Sequence, residues 1–115
     1  MKLPNAQNAV IDNEKLTGYC LNPKHPKGKH KARRFEQSLC IKNDDAVILQ
    51  QALQKAVLIC EAIEQTRTAY GRIFRIDFSA GRGLGIIWHQ TTLRSAWIIR
   101  NDEDFPRLIT CYNPS

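Results

Sequence analysis

The sequence predicts an α+β fold, with N-terminal helices packed on a C-terminal antiparallel sheet of three to four strands. Three observations carry that prediction. Apolar residues recur at helical spacing as far as about residue 65, and the period changes to two after Arg67. The polar turn Asn101 to Asp104 then divides two strand-like runs, so a hairpin is the economical connection. A chain of 115 residues is one domain's worth, 1–115, and buries a core without staples.

Taken in order, Asp12 is the expected N-cap of a short helix whose apolar residues are Leu16, Tyr19 and Cys20. Pro23, Pro26 and Gly28 make a loop of residues 22–28, because proline cannot continue a helix and restricts the residue before it. From Lys29 to Leu39 the stripe Ala32, Phe35, Leu39 predicts a helix that turns His30, Arg33, Arg34 and Gln37 to solvent. Its N-terminus is expected to offer backbone N–H groups to an anion. Asn43, Asp44 and Asp45 cap a long helix expected to run to about Gln65. Tyr70 to Phe78 alternates as a half-buried strand, and Ser79 to Gly85 reads as a glycine-rich turn. Its glycine spacing is that of a nucleotide loop, but no Lys-Ser/Thr pair follows. Ile86 to Arg100 is long for one strand and is expected to break near Gln90 to Thr92, before a last strand from Arg107 to Tyr112.

The composition, 43% hydrophobic and 24% charged, excludes a disordered or fibrous chain. No apolar run approaches the ~18 residues of a membrane span, and no secretory leader opens the chain, so the cytoplasm is the expected compartment and no membrane partner is expected. The four cysteines form no C-x-x-C pair and read as buried thiols.

The formal net charge is +6, which draws the molecule toward polyanions. Lys24, His25, Lys27, Lys29, His30, Lys31, Arg33 and Arg34 fall in one stretch without an acid, the expected RNA-binding surface. A second, all-arginine group comprises Arg72, Arg75, Arg82, Arg94, Arg100 and Arg107, whose planar forks suit phosphate oxygens. Cys20, His25 and His30 match no zinc spacing, and the acids are scattered among caps and turns, so neither a metal nor another cofactor is expected. Metal-free RNA cleavage needs only a base for the 2′-hydroxyl, an acid for the leaving 5′-oxygen and cations for the phosphorane. His30, among cations at a helix start, is the candidate base, with His25 as the alternative imidazole. A non-catalytic basic module that binds nucleic acid or an acidic protein is the other reading.

Asn22-Pro23-Lys24-His25-Pro26-Lys27-Gly28-Lys29-His30-Lys31-Ala32-Arg33-Arg34-Phe35, Arg94 to Arg100 and Phe105 to Tyr112, with the opening Leu3-Pro4-Asn5-Ala6, resemble a bacterial family of uncharacterised domains. Such domains occur as tails of polymorphic toxins and in toxin-antitoxin-like gene pairs. The layout is also similar to that of the barnase, EndoU, colicin and RelE-type ribonucleases. That resemblance implies a metal-independent ribonuclease toxin neutralised by an acidic antitoxin or immunity protein. On it, Lys29 and His30 are the helix-borne cation and base, and Arg94, with Arg107, holds the scissile phosphate. Thr110 or Tyr112 orients the phosphate or donates a proton, and His89 is the one histidine on the sheet.

Overall fold

A computed structural model describes residues 1–84 and 87–114. Asp12 caps the first helical segment as predicted, its carboxylate accepting from the Glu14 backbone N–H at 3.0 Å. After α1 (Asn13–Lys15) the chain does not continue as an α-helix; it widens into a π-helical turn, Leu16–Cys20, that buries Leu16 and Cys20. Single π turns are inserted residues in a helix and recur at functional sites.

The helix α2 (Lys29–Leu39) buries the predicted stripe of Ala32, Phe35 and Leu39 and leaves His30, Arg33, Arg34 and Gln37 exposed. It stops at Cys40, a non-glycine residue in the left-handed region at φ 53°. The Cys40 and Ile41 N–H groups close on the carbonyls of Glu36 and Phe35, which satisfies the helix end. A 3₁₀ turn, Asn43–Asp45, leads into α3 (Ala46–Ile59).

That helix ends at Ile59 rather than near Gln65, because the residues after Ala62 form β1 (Ile63–Thr68). β1 is an edge strand whose side chains are almost all exposed, so no period-two burial marks it in the sequence. β2 (Gly71–Leu84) and β3 (Ile87–Arg100) pair in unbroken register from Gly71 with Arg100 to Leu84 with Ile87. The predicted glycine turn is therefore strand through Leu84, and the predicted break near Gln90 to Thr92 does not occur. Gly85, at the end of that predicted turn, and Ile86, at the start of the next predicted strand, lie outside the described residues. β4 (Arg107–Tyr112) completes a four-stranded antiparallel meander in the order β1-β2-β3-β4.

β1 covers only Gly71–Arg75 of β2, and β4 covers only Arg94–Ile98 of β3. The far half of the β2–β3 hairpin thus stands as a two-stranded arm. It is pinned by Arg82, which donates to the Cys40 carbonyl at 2.7 Å and to the Asp45 carboxylate at 3.1 Å. The Lys42 backbone N–H, and then Arg82, hold the Asp45 carboxyl below its ordinary value.

The π turn, α2 and α3 pack on one sheet face, where Phe74, Ile76, Phe78, Leu93 and Trp97 meet Leu16, Phe35, Leu39, Leu49 and Leu53. Ser95, buried on that face, donates to the Ile76 carbonyl and accepts from Trp97 Nε1, both at 2.9 Å, so neither the hydroxyl nor the indole N–H is left unpaired. The opposite face carries Ile73, Arg75, Asp77, Arg94, Ala96 and Ile98. The fold is α+β, with the helices mostly N-terminal. No helix among the described residues is long and apolar enough to cross a membrane.

Candidate functional site

The π turn and the start of α2 are packed so closely that a Cβ on Gly28 would overlap the Tyr19 carbonyl oxygen. His25 fixes the approach. Its Nδ1 accepts from the backbone N–H groups of Lys27 (3.0 Å) and Gly28 (2.9 Å), and its carbonyl accepts from Lys29 N (3.0 Å). The first N–H group of the predicted anion-ready helix N-terminus, that of Lys29, and the two before it are therefore already occupied. With Nδ1 an acceptor, the imidazole proton resides on Nε2. The ring also stands edge-on to Tyr19, centroids 4.9 Å apart.

Lys31 follows within the first turn of α2, half-buried against the π turn and β4. Its Nζ donates to Tyr19 Oη at 2.8 Å and to Thr110 Oγ1 at 3.0 Å. The same ammonium lies 4.4 Å from the Tyr19 ring centroid and 5.2 Å from that of Tyr112. An ammonium has three donors, so one remains after these two bonds. Among the described residues it pairs with no carboxylate. A cleft of about 620 Å³ opens here, with Tyr19, His25, Lys27, Lys31 and Thr110 on its wall.

From Lys31 the polar chain continues onto the uncovered sheet face. Tyr112 is paired in register with Arg94 on that face. Arg94 also grips Asp77 through Nε at 2.9 Å and Nη2 at 3.2 Å, and Arg75 lies 3.7 Å from the same carboxylate. The Arg94 bond, then the charges of Arg94 and Arg75, outweigh burial and hold Asp77 below the ordinary carboxylate range. Asp77, and then Tyr112, push Arg94 up.

Of the sequence-predicted residues, the fold brings together His25, Lys31, Arg94, Thr110 and Tyr112. The His30 side chain is exposed and makes no hydrogen bond, ion pair or ring contact with another described residue. Lys29, Arg33 and Arg34 share its solvent-facing surface, and Lys24 is exposed in the preceding loop. Arg107 is held by Glu103 through two bonds of 2.7 Å and lies over Phe105. All the C-terminal arginines except Arg100 are likewise paired with a carboxylate among the described residues.

Tyr19 and Asp77 are the residues that sequence reasoning missed. Tyr19 reads as one member of an apolar stripe, and only its polar tip hints otherwise. Asp77 becomes visible only with the β2–β3 register that sets it opposite Arg94. Cys20, beneath the site, lies 3.6 Å from Thr110 Oγ1 and accepts from the Cys111 N–H. Burial, and then the neighbouring Cys20, push the Cys111 thiol up, which leaves it a packing group rather than a nucleophile. Cys40 and Cys60 are only half-buried, at helix ends rather than on apolar helix faces.

Gly28→Ala is expected to push α2 off the π turn and lower stability by about 1–3 kcal/mol, the usual cost of overpacking. Thermal unfolding checks this; a midpoint unchanged within a degree would contradict the packing described.

These features define a small α+β domain whose half-buried ammonium is seated between its helices and its last strand. The chain belongs to the family described as Domain of unknown function (DUF6883), whose model matches residues 2–115. No curated protein and no solved structure matches it.

Proposed function

We propose that this protein is a metal-independent ribonuclease of toxin type, acting on RNA in the cytoplasm and neutralised by an acidic antitoxin or immunity protein. The observation that carries the reading is Lys31, a half-buried ammonium with a donor to spare and no carboxylate partner among the described residues. Such a cation at a cleft wall is suited to a phosphodiester oxygen. It replaces His30 as the centre of the site, while His30, Lys29, Arg33, Arg34, Lys24 and Lys27 supply the surrounding positive field.

In the proposed reaction the 2′-oxygen attacks phosphorus and the bond to the 5′-oxygen breaks, leaving a 2′,3′-cyclic phosphate and a 5′-hydroxyl. Lys31 and Arg94 offset the charge that develops on the phosphorane. Two phenols stand ready for the protons: Tyr19, whose oxygen is held by Lys31, and Tyr112, across the ladder from Arg94. One, reacting as its phenolate, accepts the proton of the 2′-hydroxyl, and the other supplies the proton of the 5′-oxygen. His25, whose Nδ1 is taken by backbone N–H groups, lines the same cleft. Thr110 keeps the Lys31 stem in place.

The second reading is a non-catalytic module that binds nucleic acid or an acidic protein on the same surface. The neutralisation of most C-terminal arginines by their own carboxylates, and the solitary position of His30, favour it. Incubating the purified protein with total RNA in EDTA separates the two. Fragments ending in 2′,3′-cyclic phosphate support the enzyme, whereas binding without such fragments excludes it.

A further inference from the structure

The cleft beside Lys31 does not stop at β4. A second groove of about 630 Å³ shares Asp12, Lys15 and Ile109 with it and continues to Ile98, Arg100, Arg107 and Tyr70. Tyr70, in the turn between β1 and β2, is 78% exposed, the most exposed of the large apolar side chains described. Arg100, across the same groove, is exposed and in no ion pair among the described residues. The fold uses neither side chain: the Tyr70 backbone accepts from Asn101 N and donates to Thr68 Oγ1, both at 3.1 Å, and these bonds do not involve the ring.

We propose that these two adjoining grooves together form the path of a single-stranded RNA, with one base stacked on Tyr70 and one backbone phosphate on Arg100. The inference rests on the reading of Lys31 as the grip on the scissile phosphodiester. From Thr110, beside Lys31, to Arg107, in the second groove, is three residues of β4, roughly 10 Å of strand. The path therefore extends beyond the reacting bond and gives the site a reach over neighbouring nucleotides. An exposed aromatic face and an unpaired arginine flanking a groove are the pair of features by which proteins hold unstacked bases and track the backbone. A duplex keeps its bases inside its stack and has no ring to offer Tyr70. Asp12 and Asp102 line the groove among the cations Lys15, Arg100 and Arg107, so acceptors for base N–H edges stand beside donors for phosphate.

The test measures fluorescence anisotropy with a labelled, mixed-sequence 2′-O-methyl RNA hexamer, which lacks the attacking hydroxyl and cannot be cleaved. Tyr70→Ala is expected to weaken binding about tenfold, and Tyr70→Phe to restore it, since stacking uses the ring and not the hydroxyl. Arg100→Gln is expected to reduce the log–log salt slope by about 0.7, the loss of one single-strand phosphate contact, while Tyr70→Ala leaves the slope unchanged. Both side chains are exposed, so the variants should keep the wild-type unfolding midpoint. Hexamer affinity within twofold of wild type in Tyr70→Ala overturns the proposal, as does equal affinity for the corresponding duplex. A Tyr70→Ala loss seen with poly-glutamate and not with the hexamer assigns the groove to an acidic protein and likewise overturns it. Absence of cleavage in EDTA with Tyr70-dependent hexamer binding removes the enzyme and keeps the groove. Cleavage with Tyr70-independent binding removes the groove alone.

Discussion

Replacing Lys31 with methionine is expected to lower RNA cleavage by about 10²–10⁴-fold, the range for loss of a preorganised electrostatic or proton-transfer group. Methionine keeps the length and apolar stem of lysine, so packing against Tyr19 and Tyr112 largely survives while the charge does not. Thr110 Oγ1 and Tyr19 Oη lose a donor but sit beside an open cleft, where water replaces it. Thermal stability should therefore change little, which separates a chemical effect from an unfolded one. His30→Ala is the informative companion, with a few-fold loss expected from one fewer cation-flanked side chain on the surface. Single-turnover cleavage of a fluorogenic RNA reads both. A His30→Ala loss as large as that of Lys31→Met would return the imidazole to the centre of the site.

Trp97→Ala is expected to cost about 3–5 kcal/mol, the usual loss when a buried aromatic is truncated. That is a large share of the ~5–15 kcal/mol that holds a domain of this kind folded. The indole is fully buried opposite Phe74, in the middle of the helix-covered face. Its removal opens a cavity and also deprives Ser95 Oγ of its Nε1–H partner, in a place water does not reach. Trp97→Phe fills most of the cavity and loses only the bond, so its cost should be smaller than that of alanine. Urea unfolding followed by circular dichroism checks both, and a midpoint for Trp97→Ala near that of the wild type would contradict the core described.

The helix stripe Ala32-Phe35-Leu39, the Asp12 cap, the alternation through Leu93, Ser95 and Trp97, and the hairpin into β4 were all legible in the sequence. Each is a local signal: a period, a capping side chain, a polar turn. What was hidden depends on partners far away in the chain. β1 escapes because both its faces are mostly exposed, so no alternation of polarity marks it. Gly81 and Gly83 suggest a turn, yet the cross-strand ladder holds them extended opposite Gln90 and Trp88. At the site, the basic stretch was visible as charge, but which cation matters depends on a direction around a helix and on β4. His30 and Lys31 are neighbours in sequence whose side chains diverge by about 100°. One meets solvent; the other meets Thr110 and Tyr112.

The seat of Lys31 spans 79 positions of chain to Thr110. Its near wall, Tyr19, is made early in synthesis and its far wall with the final strand. A nascent polypeptide that has released α2 but not β4 presents a loose, hydrated lysine and no binding cleft. Competence for the proposed reaction thus arrives in one step, with the docking of the closing strand.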